Sequence, residues 1–190
     1  MGKKLSEMSL EELWQLFPIF LTEHQDCWEE WYAEEERSLT TALSNVERIS
    51  HIGSTAIPCI WAKPIVDILV EVPKGNALQG YKKAIESVGY LCMAESENRL
   101  SFNKGYTENG FAERVFHLHL RHTGDNDELY FRDYLIEFPN VAKEYEKLKL
   151  SLWKTYEHNR DGYTNAKTDF IKTHTEQAKS YTKINIEKRT

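Results

Sequence analysis

Cysteine is scarce in this chain of 190 residues, and Cys27, Cys59 and Cys92 form no pattern. Their odd number, and the lack of a Cys-x-x-Cys pair, exclude a disulfide-stapled scaffold and a cysteine-held structural zinc. No apolar run approaches membrane-spanning length. The opening Met1-Gly2-Lys3-Lys4-Leu5-Ser6 lacks the apolar centre of a secretion signal, so a cytoplasmic protein with no membrane partner is expected. A basic stripe is also missing. Lys and Arg number 24 against 30 Asp and Glu, for a net charge of −6. No nucleic-acid partner is therefore expected, although that balance leaves room for a local basic pocket. Gly-x-x-x-x-Gly-Lys-Ser/Thr and Gly-x-Gly-x-x-Gly stretches do not occur, which removes P-loop and Rossmann readings. Ser54 lacks the Gly-x-Ser-x-Gly setting of a hydrolase nucleophile.

The material for a core is ample, at 41% hydrophobic and 12% aromatic residues, and the length suits one domain with a helical arm. Ser9 and Glu12 form a capping box that predicts a short helix ending near Phe17-Pro18. Residues 24–43 read as an amphipathic helix, with Trp28, Trp31, Tyr32 and Leu39 towards the body and Glu34-Glu35-Glu36 on a solvated face. These elements make an N-terminal helical arm over residues 1–45. Strands are predicted over 46–52 and 65–72, and the near-continuous apolar character of the second argues for a central position. A helix over 76–88 stops at Gly89. Strands over 99–106 and 111–122 flank Asn109-Gly110 as a hairpin. Residues 46–124 thus form a sheet core, and helices over 126–136, 140–156 and 161–184 make a C-terminal helical layer over residues 125–190. The expected class is α+β, a mixed sheet flanked by helices.

His51-Ile52-Gly53-Ser54-Thr55 leads through Lys63-Pro64 into Ile65-Val66-Asp67-Ile68. Gly53 can bring backbone N–H groups to a phosphate, and Ser54 adds a hydroxyl. Strand alternation puts Asp67, Leu69 and Glu71 on one face and Val66, Ile68, Val70 and Val72 on the other. A carboxylate on a central strand needs a metal, a basic partner or solvent. The same parity groups His117, His119 and Arg121 on the later strand. If the two strands adjoin, Asp67, His117 and His119 become a candidate metal set, the alternative for Asp67 being an ion pair with Lys63 or Arg121. Lys63 and Arg121 are candidates to neutralise phosphate charge, with Lys104, Arg114 and Arg132 behind them. Tyr145-x-x-x-Lys149 and Tyr163-x-x-x-Lys167 repeat one phrase. Each lysine either lays its stem over the ring or reaches a ligand in the cleft.

The stretch from His51 to Val72 resembles the signature of the GrpB-like family, a branch of the nucleotidyltransferase superfamily. Leu13-Trp14-x-Leu16-Phe17-Pro18, Trp28-x-x-Trp31-Tyr32, His117-Leu118-His119, Phe131-Arg132-Asp133-Tyr134-Leu135 and Tyr163-x-x-Ala166-Lys167 extend the likeness. The resemblance implies a nucleotidyltransferase-like mixed sheet. It implies nucleotide or phosphate binding by Gly53, Ser54, Lys63, Arg121, Lys149 and Lys167, with Asp67 and Ser54 as candidate catalytic residues. Where active nucleotidyltransferases carry a second carboxylate, this chain has Leu69, and His117 and His119 replace a third. One aspartate and two histidines would make a single mixed site better suited to Mn²⁺, Zn²⁺ or Fe²⁺ than to Mg²⁺, with Glu71 as a further oxygen. Cys59 stands where a glycine normally follows the proline. The expected function is to bind a nucleoside triphosphate or other phosphate ligand with a divalent metal and, if catalytic, to transfer a nucleotidyl group to a small acceptor. Alternatives are a non-catalytic binding or regulatory module and a metal-dependent phosphohydrolase.

Overall fold

The computed structural model describes residues 3–187. Its centre is a five-stranded mixed sheet in the order β1-β2-β5-β4-β3, built from β1 (Arg48–Ile52), β2 (Val66–Val72), β3 (Leu91–Glu95), β4 (Arg99–Thr107) and β5 (Gly110–His122). β2 runs antiparallel to β1 and parallel to β5. Its central place explains its apolar run, since Val66, Ile68, Leu69, Val70 and Val72 are all inaccessible to solvent. The expected α+β class holds, as does the β4–β5 hairpin, which closes with Thr107 opposite Gly110.

Helices cover both faces. On one, α2 (Cys27–Ala42) and α3 (Gln79–Ser87) pack Trp28, Leu39 and Ile85, with Leu78 at the N-cap of α3, against Val66, Ile68, Leu118 and Phe102. The aromatic stripe of α2 thus faces the body as its spacing predicts. The preceding α1 (Leu10–Leu16) starts at the expected capping box, with Glu12 N–H donating to Ser9 Oγ and Ser9 N–H to Glu12. On the other face lie α4 (Asp127–Glu137), α5 (Pro139–Trp153), α6 (Arg160–Ala166) and α7 (Thr168–Glu187). Among the described residues, no helix is long and apolar enough to cross a membrane.

Three local expectations change. The run Glu34-Glu35-Glu36 is not simply solvated. Glu35 accepts from the Tyr90 hydroxyl and pairs with Lys104 at 2.6 Å, while Glu34 pairs with Arg114 and Glu36 accepts from Tyr32. β3 was not expected. It is an edge strand leaving Leu91 and Met93 well exposed, so it carries no burial alternation, and its place is set by pairing with β4. The helix expected over 161–184 is two helices, broken at Lys167.

Candidate functional site

β1 ends at Ile52, opposite Asp67, and the chain turns at Gly53 with φ +72°. A β-carbon there would stand 2.4 Å from Asp67 Oδ2, so only glycine allows the turn to close on the carboxylate. The parallel register sets Asp67 opposite His117 and Leu69 opposite His119. Asp67 Oδ1 lies 3.1 Å from His117 Nδ1 and 3.7 Å from His119 Nε2. The three residues that strand parity grouped do meet.

Their hydrogen bonds decide what they can hold. His117 Nε2 faces the Tyr106 hydroxyl at 2.8 Å and Arg160 Nη2 at 3.0 Å. Arginine can only donate, so Nε2 accepts and the ring proton sits on Nδ1, pointing at Asp67. His119 repeats this arrangement, its Nδ1 facing Arg121 Nη2 at 3.3 Å. Both imidazoles therefore turn an N–H, not a lone pair, towards the carboxylate. Among the described residues no three His, Cys, Asp or Glu side chains are arranged to hold a metal ion. The candidate metal set does not fit a resident divalent ion in this arrangement, because its nitrogen donors are committed as proton donors. Glu71 adds no oxygen: it is buried, accepting from Arg48 Nε at 2.6 Å, Gly124 N–H and Asn126 Nδ2.

Burial alone would raise the Asp67 carboxyl, but the hydrogen bond from His117 and the nearby His119 imidazole hold it well below the usual carboxylate range. Burial pushes the His117 imidazole down to about 4, against the pull of Asp67.

Around this pair gather more cations than one carboxylate can balance. Lys63 comes from the loop before β2, Lys149 from α5, Lys167 from the α6–α7 break and Arg160 from the start of α6. Lys63 Nζ lies 5.6 Å and Lys167 Nζ 4.2 Å from the centroid of the Tyr163 ring, and Lys149 Nζ lies 4.9 Å from that of Tyr145. Lys149, nearly inaccessible, donates to the Trp61 carbonyl. Lys63 and Lys167 have no ion-pair or hydrogen-bond partner for their ammonium groups among the described residues. Burial first, then the neighbouring Arg160 and Lys167, pushes Lys63 down to about 7. Burial likewise lowers Lys149 to about 7 and Lys167 to about 8. The Tyr163 hydroxyl is buried among these residues without a partner. Ser54 sits beside Tyr145, whose phenol burial raises while the Ser54 hydrogen bond lowers it.

The remaining candidates have other employment. Arg121 is buried, donating to the Leu100 and Leu120 carbonyls, and meets the cluster only through His119. Lys104 and Arg114 pair with Glu35 and Glu34 of α2, and Arg132 donates to the His51 carbonyl. Arg160 was missed. Its signal was Asn159, whose side chain accepts from Gly162 N–H as the N-cap of α6 and so puts Arg160 in the first helical turn.

Fold and site together define an α+β protein with a cluster of cations over one face of a mixed sheet, beside an aspartate–histidine pair. The chain belongs to the GrpB family, whose description, GrpB protein, matches residues 18–177. It is 34% identical over 161 residues to the glutamate-rich protein GrpB of Alkalihalophilus pseudofirmus, covering 80% of this chain and 91% of that one. It is 32% identical over 187 residues to the UPF0157 protein YqkA of Bacillus subtilis, covering 95% of this chain. Of two curated relatives it matches, YqkA and a UPF0157 protein of Pseudomonas aeruginosa, this chain spans 54% and 61% of the length. The crystal structure of conserved protein GrpB from Enterococcus faecalis superposes with a TM-score of 0.72 at 32% identity, over 85% of this chain and 99% of that one.

Proposed function

We propose that the cleft binds the phosphate group of a small-molecule ligand, with Lys63, Lys149, Lys167 and Arg160 as its charge partners. The observation that carries this reading is the excess of four converging cations over the carboxylates of Asp67 and of Glu146, which Lys143 already pairs, with Lys63 and Lys167 unpaired. Like charges are buried together at a cost, and a polyanion relieves that cost directly. Gly53 and Ser54 lie on the same rim, where backbone and hydroxyl donors add to the charge.

For the group transfer that the nucleotidyltransferase resemblance implies, His117 is the proton-handling residue. Asp67 fixes its tautomer, and Nε2 can take the proton of an acceptor hydroxyl once that hydroxyl displaces the Arg160 and Tyr106 groups now facing it, as the oxygen attacks phosphorus and pyrophosphate leaves. The cations stabilise the charge on the phosphoryl oxygens. No resident metal enters this reading, and a divalent ion would come with the polyphosphate. One observation favours a second reading, a non-catalytic binding module. Leu69, in place of the second carboxylate, is fully buried with Ile52 and Leu129 and does not border the cleft as a ligand.

Calorimetric titration of ATP and of pyrophosphate in EDTA tests the proposal. Both are expected to bind, and Lys63→Met to weaken both by about tenfold or more. Wild-type affinity retained in Lys63→Met and Lys167→Met would remove the cation cluster from the account.

A further inference from the structure

Beside the cation cluster runs a shallow groove of about 90 Å³ that is open to solvent on one side. Its walls are Phe17, Phe20, Pro64 and Phe111, and it opens onto Lys63 and Arg160, which belong equally to the phosphate site. The Phe17 and Phe111 rings stand 5.0 Å apart by centroid and tilted at 57°; those of Phe20 and Phe111 stand 6.2 Å apart at 60°. Phe20 is 36% exposed, so ring surface is left free on the open side. The walls are fixed from several directions. Ile19 donates its N–H to Glu157 and accepts from Trp153 Nε1, and Thr22 bridges to Ala62. This ties the strip holding Phe17 and Phe20 to α5 and to the loop bearing Lys63.

We infer that this groove is a base-stacking subsite, so that the ligand of the phosphate cleft is a nucleotide and not inorganic phosphate or a sugar phosphate. The inference rests on the phosphate reading above. A ligand with its phosphate between Lys63 and Arg160 has this groove as the apolar surface in reach on the arm side, and flat, sequence-tolerant aromatic faces suit a planar base. The polar site supplies charge and the groove supplies discrimination.

The test compares ligands of matched charge in EDTA: the four ribonucleoside 5′-monophosphates against ribose 5-phosphate, with pyrophosphate as a control for the cation cluster. At least one nucleotide is expected to bind about tenfold or more tighter than ribose 5-phosphate. Phe111→Ala and Phe20→Ala should each reduce that ratio towards one while pyrophosphate affinity stays at the wild-type level. Phe20, exposed at the rim, serves as the variant least able to disturb folding. Ribose 5-phosphate binding as tightly as every nucleotide, with pyrophosphate still bound, would overturn the subsite and leave the phosphate reading standing. Failure of all these ligands, pyrophosphate included, would overturn both.

Discussion

Cys59 occupies the left-handed region at φ +63°, where a β-carbon crowds the following carbonyl and glycine is at ease. The GrpB-like pattern has a glycine there, and the structure supplies the physical reason. Cys59→Gly is expected to raise stability by about 1 kcal/mol, measured by urea unfolding. A loss of stability would show that the cysteine's own contacts outweigh its strain. Lys63 poses the opposite problem, since its charge is held where burial and other cations oppose it. Lys63→Met should therefore stabilise the fold by about 1 kcal/mol or more while weakening anion binding; a less stable variant would mean that the ammonium is satisfied after all. At this scale much of the site was legible. Asp67, His117 and His119 followed from strand alternation, and Lys149 and Lys167 from the repeated Tyr-x-x-x-Lys phrase. What alternation does not encode is which nitrogen of an imidazole carries the proton. The pattern therefore groups a candidate metal set, whereas the tautomers follow from Arg160 and Arg121 donating to the two rings.

The elements explain why Arg160 reaches the cleft. α6 has seven residues and is held at its start by the Asn159 cap, and its i, i+4 spacing lays Lys167 over the Tyr163 ring. Asn159→Ala should cost about 1 kcal/mol of stability and also weaken pyrophosphate binding by loosening Arg160. Unchanged pyrophosphate affinity would detach Arg160 from the anion site. Periodicity alone ran 161–184 together because both helices carry compatible apolar spacing, and only the N-cap asparagine marked the true start. β3 escaped for a different reason. An edge strand with both faces wet has no burial pattern to read, and its existence depends on a partner far along the chain.

Across the whole molecule, the net charge of −6 gave no hint of a basic cleft, because the acids are spent on ion pairs elsewhere, Arg48–Glu71 and Lys104–Glu35 among them. The cleft makes stability and binding depend on pH in opposite senses. Lys63, Lys149 and Lys167 have folded values of about 7, 7 and 8 against an ordinary 10.5. Below pH 7 both the folded and unfolded chains hold these protons, and the repulsion is fully felt. Between about pH 7 and 10.5 the unfolded chain binds more of them, so this cluster's contribution to stability rises with pH. Anion affinity needs the protons and falls through the same window. Sulfate, whose own charge is constant there, is expected to bind about tenfold or more weakly at pH 9 than at pH 6.5. A flat profile would contradict the lowered lysines.

The central claim is that the cleft recognises phosphate through its own cations, with Asp67 serving His117 and not a metal. Titration of ATP into the wild-type chain and into Asp67→Asn, both in EDTA and again with Mg²⁺ or Mn²⁺, addresses it most directly. The account predicts metal-independent binding that Asp67→Asn preserves or tightens, since the substitution removes a negative charge from the site. Binding that appears only with the metal and vanishes in Asp67→Asn would contradict it and restore the aspartate as a metal ligand.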